Sequence, residues 1–125
     1  MTEQEELQAA IAKLNIGRSR RHAFLCTGPR CCTPGTGLAA WEALKEKIRA
    51  AGLSEGENIC QRTKVGCLRI CCMGPTMVVY PEGTWYSGMT ADRMERLVRE
   101  HLIEGRAIRE WTFAEKSLCD GEPEA

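Results

Sequence analysis

The chain of 125 residues balances 17 Lys and Arg against 17 Asp and Glu, for a formal net charge of zero. That size suits one domain with a modest core, and the charge balance gives no general attraction for nucleic acid or an anionic membrane. No stretch approaches the roughly 20 apolar residues of a membrane span. The acidic start, from Met1 to Glu6, lacks the positive and apolar regions of a secretory signal. A cytoplasmic location is therefore expected, and there eight cysteines call for metal ligation or redox chemistry rather than disulfides. The basic run Arg18, Arg20, Arg21, His22 and the acidic tail of Asp120, Glu122 and Glu124 read as solvated termini.

Leu7, Ala10, Ile11 and Leu14 fall at helical spacing before Asn15 and Gly17, so residues 5–15 form a short N-terminal helix docked on the domain or on a partner. Arg21 to Cys26 is a first strand, stopped by Thr27-Gly28-Pro29. After a loop from Cys31 to Gly37, Trp41, Leu44, Ile48 and Ala51 mark the buried stripe of a helix over 38–51, with Gly52 as its C-cap. Trp41 reads as a core anchor. Asn58 to Val65 is a second strand, with Ile59, Gln61, Thr63 and Val65 sharing a face.

A loop from Gly66 to Pro75 follows, rich in cysteine and glycine, and then Met77 to Tyr80 and Thr84 to Tyr86 as a hairpin around Pro81-Glu82-Gly83. Thr90 is the expected N-cap of a last helix whose stripe is Met94, Leu97, Val98, His101 and Leu102, ending near Gly105. His101 is expected to pack or hydrogen-bond rather than bind metal. Trp111 and Phe113 are the last residues expected to pack, with a disordered tail beyond Lys116. A βαβ unit, a hairpin and a closing helix give an α/β fold of the thioredoxin-like kind: a four-stranded mixed sheet, two main helices and the short N-terminal helix. The expected divisions are residues 1–20 as the helical extension, 21–110 as the domain and 111–125 as the C-terminal tail.

The chemistry lies in the cysteines. Cys26 and Cys31 follow the first strand, and Cys67 and Cys71 follow the second. If those strands are parallel neighbours, both loops leave the same sheet edge, where open α/β sheets usually bind their ligands. Four convergent thiolates suit either structural zinc or an iron–sulfur centre, and spacing alone leaves both open. A thiol–disulfide oxidoreductase is disfavoured, because no Cys-x-x-Cys opens a helix.

The run from Gly66 to Tyr86 (Gly-Cys-Leu-Arg-Ile-Cys-Cys-Met-Gly-Pro-Thr-Met-Val-Val-Tyr-Pro-Glu-Gly-Thr-Trp-Tyr) resembles the signature of the thioredoxin-like [2Fe–2S] ferredoxins. This is the Shethna-type family, related to the small cluster-bearing subunit of NADH dehydrogenases. The resemblance extends from about His22 to Ile108. It implies one [2Fe–2S] cluster on Cys26, Cys31, Cys67 and Cys71, with Cys31 chosen over Cys32 by the four-residue spacing of the dehydrogenase-type relatives. Cys60 then reads as a small core side chain, Cys72 as a buried neighbour or spare ligand, and Cys119 as an exposed thiol.

The implied function is one-electron transfer between redox protein partners, without enzymatic catalysis. The alternatives are a fixed subunit of a larger reductase, hydrogenase or dehydrogenase, or a structural-zinc module. Arg30 and Arg69 are the cations nearest the ligands, placed to stabilise the reduced state, to dock a partner or simply to be solvated. Relatives of this kind often form homodimers, for which Trp85, Tyr86 and Met89 are surface candidates unless they pack on their own domain.

Overall fold

The structure is a computed structural model and describes residues 2–118. Helix α1 (Glu3–Leu14) opens with Thr2 as N-cap, in a reciprocal capping box with Glu5, and ends at Asn15 in the left-handed conformation. None of its residues is buried. Leu7, Ile11 and Leu14 stay exposed, and the tie to the body runs from its end: Gln61 Nε2 donates to the Leu14 carbonyl and Asn15 Nδ2 to that of Gly56.

Strand β1 (Arg21–Cys26) lies between parallel β2 (Cys60–Val65) and antiparallel β3 (Met77–Tyr80). A tight hairpin joins β3 to β4 (Thr84–Tyr86), and Gly83, at φ 67, occupies the left-handed position its turn needs. The expected four strands are present, and a fifth, β5 (Thr112–Glu115), extends the sheet to the order β2-β1-β3-β4-β5. Residues 112–115 are thus strand rather than tail. The β-prone Thr112 pairs opposite Tyr86, Phe113 meets the Trp85 ring, and Thr84 Oγ1 donates to Glu115 across the pair. The expectations for Cys119, Asp120, Glu122 and Glu124 lie outside the described residues.

Helix α2 (Pro34–Ala50) begins earlier than residue 38. Thr33 is its N-cap, accepting from Thr36 N, and Pro34 takes the first turn, where its missing N–H costs nothing. Gly52, at φ 77, follows the C-cap Ala51. A 3₁₀ turn, Ala91–Arg93, leads into helix α3 (Met94–Arg96), which continues as Leu97–Ile103 with the wider π spacing. Thr90 is extended just before this segment, but its hydroxyl donates to Asp92 Oδ1 and caps no backbone amide.

Both helices cover one face of the sheet. Ala23, Leu25, Cys60, Met77, Val79 and Tyr86 meet Ala40, Trp41, Leu44, Ile48, Met94, Leu97, Val98 and Leu102 in a single core. Trp41 is the anchor the sequence implied, its ring flanked by Lys45, Arg62 and Lys64. On the opposite face His22 stacks on Phe24, which meets Tyr80 edge-on, and Trp85 meets Phe113.

Candidate functional site

The parallel pairing of β1 and β2 decides where the cysteines go. Cys26 is the last residue of β1 and pairs with Val65, the last of β2, so the two following loops start side by side. They are stitched together. Thr27 N donates to the Val65 carbonyl, Cys26 N to that of Thr76 and Gly74 N to that of Cys31. Two glycines permit this closeness: a Cβ on Gly28 would overlap the Gly66 carbonyl oxygen, and one on Gly74 would overlap the Cys31 carbonyl and sulfur.

Between the loops lies a cavity of about 160 Å³, lined by Cys26, Pro29, Arg30, Cys31, Gly66, Cys67, Ile70 and Cys71. All four cysteines singled out from the sequence line it. Cys26 (1% exposed) and Cys31 (7%) form a buried wall, while Cys67 and Cys71 form an exposed one. Cys32 does not line the cavity. It is half-buried beneath the first turn of α2, where a Cβ on Gly37 would lie 3.1 Å from its sulfur. Burial first, and then its neighbours Cys31 and Cys26, push its thiol pKa up.

Cys72 is exposed, which removes its reading as a buried neighbour, and it too lies outside the cavity lining. Cys60 is the small core side chain expected, its thiol pKa pushed up by burial. Among the described residues no three His, Cys, Asp or Glu side chains are grouped around a single metal position.

Hydrogen-bond donors already point at two of the sulfurs. Arg69 N donates to Cys67 Sγ at 3.2 Å, from a residue held at φ 71. Thr76, wholly buried, brings its backbone N to 3.3 Å and its Oγ1 to 3.5 Å from Cys31 Sγ. Once Cys31 is a thiolate it has no proton to give, so both Thr76 groups become donors to it. A soft four-thiolate donor set, backed by N–H and O–H groups and enclosing a space of this size, fits a [2Fe–2S] cluster. The N-terminus of α2, the positive end of its dipole, opens directly after the first loop.

Sequence reasoning missed Thr76, since a threonine within a cysteine-rich motif carries no signal of its own. It also missed a buried polar chain away from the cavity. Ile108 N donates to Tyr86 Oη, and that hydroxyl lies 2.7 Å from His101 Nδ1. His101 Nε2 lies 3.2 Å from Glu82, which Arg21 also binds. Burial holds His101 below its usual pKa and pushes Tyr86 up to about 12, so the chain is Tyr–OH to neutral imidazole to carboxylate. His101 thus hydrogen-bonds and packs. Tyr86 and Met89 are fully buried and belong to the core, not to a dimer surface; Trp85 alone of the three candidates is partly exposed.

No family model matches the sequence. The chain is 32% identical over 97 residues to a [2Fe–2S] ferredoxin of Clostridium pasteurianum, covering 72% of this chain and 92% of that protein. It is 30% identical over 101 residues to a putative [2Fe–2S] ferredoxin of Priestia megaterium, covering 81% and 76%. The thioredoxin-like [2Fe–2S] ferredoxin of Aquifex aeolicus superposes with a TM-score of 0.68 at 25% identity, over 84% of this chain and 96% of that one.

Proposed function

The chain belongs to the thioredoxin-like [2Fe–2S] ferredoxins, and on that premise we propose that Cys26, Cys31, Cys67 and Cys71 are the ligands of its cluster. Ferredoxins of this family carry electrons and are not catalytic enzymes, and one-electron transfer is the function of this chain. The bound [2Fe–2S] cluster supplies a single reversible redox step.

The observation that carries the ligand assignment is the shared cavity, which these four cysteines line and Cys32 and Cys72 do not. The protein's own part is to hold two rigid donor pairs and to leave one wall open to solvent. Cys26 and Cys31 keep the inner side dry. Cys67 and Cys71 put the outer side at the surface, within tunnelling reach of another protein. No residue here has a proton to move.

A matched set of cysteine-to-serine variants tests the assignment, with iron content and electron paramagnetic resonance of the reduced protein recorded for each. Changes at 26, 31, 67 and 71 alter the spectrum or lose the cluster, whereas those at 32, 60, 72 and 119 leave it alone. A strong effect of Cys32→Ser beside a silent Cys31→Ser would reassign the second ligand.

The partners of this reading are redox proteins, in a cytoplasmic setting. It takes residues 21–110, with the added strand Thr112–Glu115, as the ferredoxin domain and 1–20 as an appended helix. No helix of the described residues is long and apolar enough to cross a membrane. The uncovered sheet face, with Trp85, Phe113 and the His22–Phe24–Tyr80 stack, is the surface on which the proposed homodimer would form. Sedimentation at several concentrations checks it: a monomer throughout removes the dimer.

A further inference from the structure

Charge is unevenly spread on this neutral chain. From His22 to Trp41 and from Asn58 to Tyr80 there is no Asp or Glu, while the same segments carry Arg30, Arg62, Lys64 and Arg69. These segments hold both strands and both loops of the cluster site. Arg30 lines the cavity itself, and Arg69 sits two residues past Cys67. Arg62 and Lys64 stand on β2, the edge strand leading into the second loop.

All four are exposed, and none forms an ion pair among the described residues. The nearest carboxylates, Glu42 and Glu46, share a groove with Arg62 but are engaged by Lys45 and Arg49 of their own helix. In the second loop, two residues past Cys71, Met73 is 76% exposed, the largest fraction of any bulky apolar side chain among the described residues. It sits at φ 55 with its carbonyl tied to Gly88 N, so its side chain is presented outward from a fixed backbone.

An adaptable apolar side chain on the same loop as Arg69, together with exposed cations in no ion pair among the described residues, at the point where an electron leaves, suits a transient docking face. We propose that this face, formed by Met73, Arg30, Lys64 and Arg69 and extended by Arg62, docks redox proteins whose own centre is ringed by carboxylates. The proposal rests on the ferredoxin reading and names the class of partner. Four cations exceed the two negative charges of the oxidised tetrathiolate cluster and the three of the reduced one, so the face keeps a positive balance in both states.

The probe is oxidised plant plastocyanin, a blue-copper protein with an acidic patch, with the basic cytochrome c as its opposite. Mixed with the reduced, cluster-loaded protein, each takes one electron: the cluster loses it, Cu(II) becomes Cu(I) or ferric haem becomes ferrous, and no proton moves. Raising ionic strength from about 0.01 M to about 1 M shortens the screening length from about 30 Å to about 3 Å. The rate with plastocyanin is expected to fall by about tenfold or more, and that with cytochrome c to hold or rise.

Arg30→Glu and Arg69→Glu, singly and together, slow the plastocyanin reaction several-fold at low salt. Removing a positive charge from beside the cluster lowers its potential, which by driving force alone would speed the reaction. Potential tuning and docking therefore predict opposite signs. A plastocyanin rate that rises with salt, or charge-reversed variants that react faster, overturns the proposal. A protein that accepts no electron at all would instead strike at the carrier reading.

Discussion

Replacing Thr76 by valine removes one hydroxyl from the inner wall of the site while keeping shape and volume. The hydroxyl oxygen lies 3.5 Å from Cys31 Sγ in a fully buried setting, and the backbone N of the same residue stays at 3.3 Å in either variant. A hydrogen bond to a charged acceptor is worth about 1.5–3 kcal/mol. Only the part that grows when the cluster gains an electron moves the potential, and at this long separation we take it as about 1 kcal/mol. A tenfold change in a one-electron equilibrium is about 59 mV, or about 1.4 kcal/mol, so Thr76→Val should lower the potential by about 40 mV. Thr76→Ser, which keeps the donor, should restore most of it. Potentiometric titration followed by electron paramagnetic resonance measures both, with thermal unfolding as a check that packing is intact. A potential unchanged or raised in the valine variant refutes the reasoning, because it would mean that the hydroxyl does not donate to the sulfur in the loaded protein.

Gly28→Ala places a methyl against the Gly66 carbonyl and should part the loops, lowering iron bound per chain, whereas Gly35→Ala, with open space around it, should bind the normal amount. Equal loading of the two would contradict the close-approach argument. Leu44 is wholly buried in the core, so Leu44→Ala should cost about 2–5 kcal/mol in denaturant unfolding; a loss under about 1 kcal/mol would mean the site collapses freely. His101 and His22 have pKa values lowered by burial, so the unfolded chain takes up protons first as pH falls below about 6.5. Stability should therefore decline from there toward lower pH. His101→Gln should flatten that decline, and an identical slope would exclude His101 as a contributor.

The elements with strong local patterns were readable before any coordinates. Trp41, Leu44 and Ile48 announce α2, and the β-prone arms around Pro81-Glu82-Gly83 announce the hairpin. The place of the candidate site was readable for the same reason, since the loops after two parallel neighbouring strands leave the same sheet edge, and Cys26 and Cys67 lie at or just past those strand ends. What escaped was set by tertiary context. The strand Thr112–Glu115 is short and mostly exposed, and becomes a strand only because β4 offers an edge. The early start of α2 was hidden because Pro34, Gly35 and Gly37 read as loop until Thr33 is seen capping them. Whether Tyr86 lay on a surface or packed inside stayed open, because a hairpin arm does not say which of its alternating residues faces in. The partner that decides it, His101, comes 15 residues later.

The register of the central ladder has a consequence for how the site tolerates change. Cys26 opposite Val65 sets the two loops off level with each other, at the spacing of adjacent strands, about 4.8 Å. The sheet acts as a ruler for the starting gap, and the contacts of Gly28 with Gly66 and of Gly74 with Cys31 carry it outward. A slip of a single residue along β1 would turn Cys26 to the opposite face of the sheet, breaking the site without removing a single sulfur.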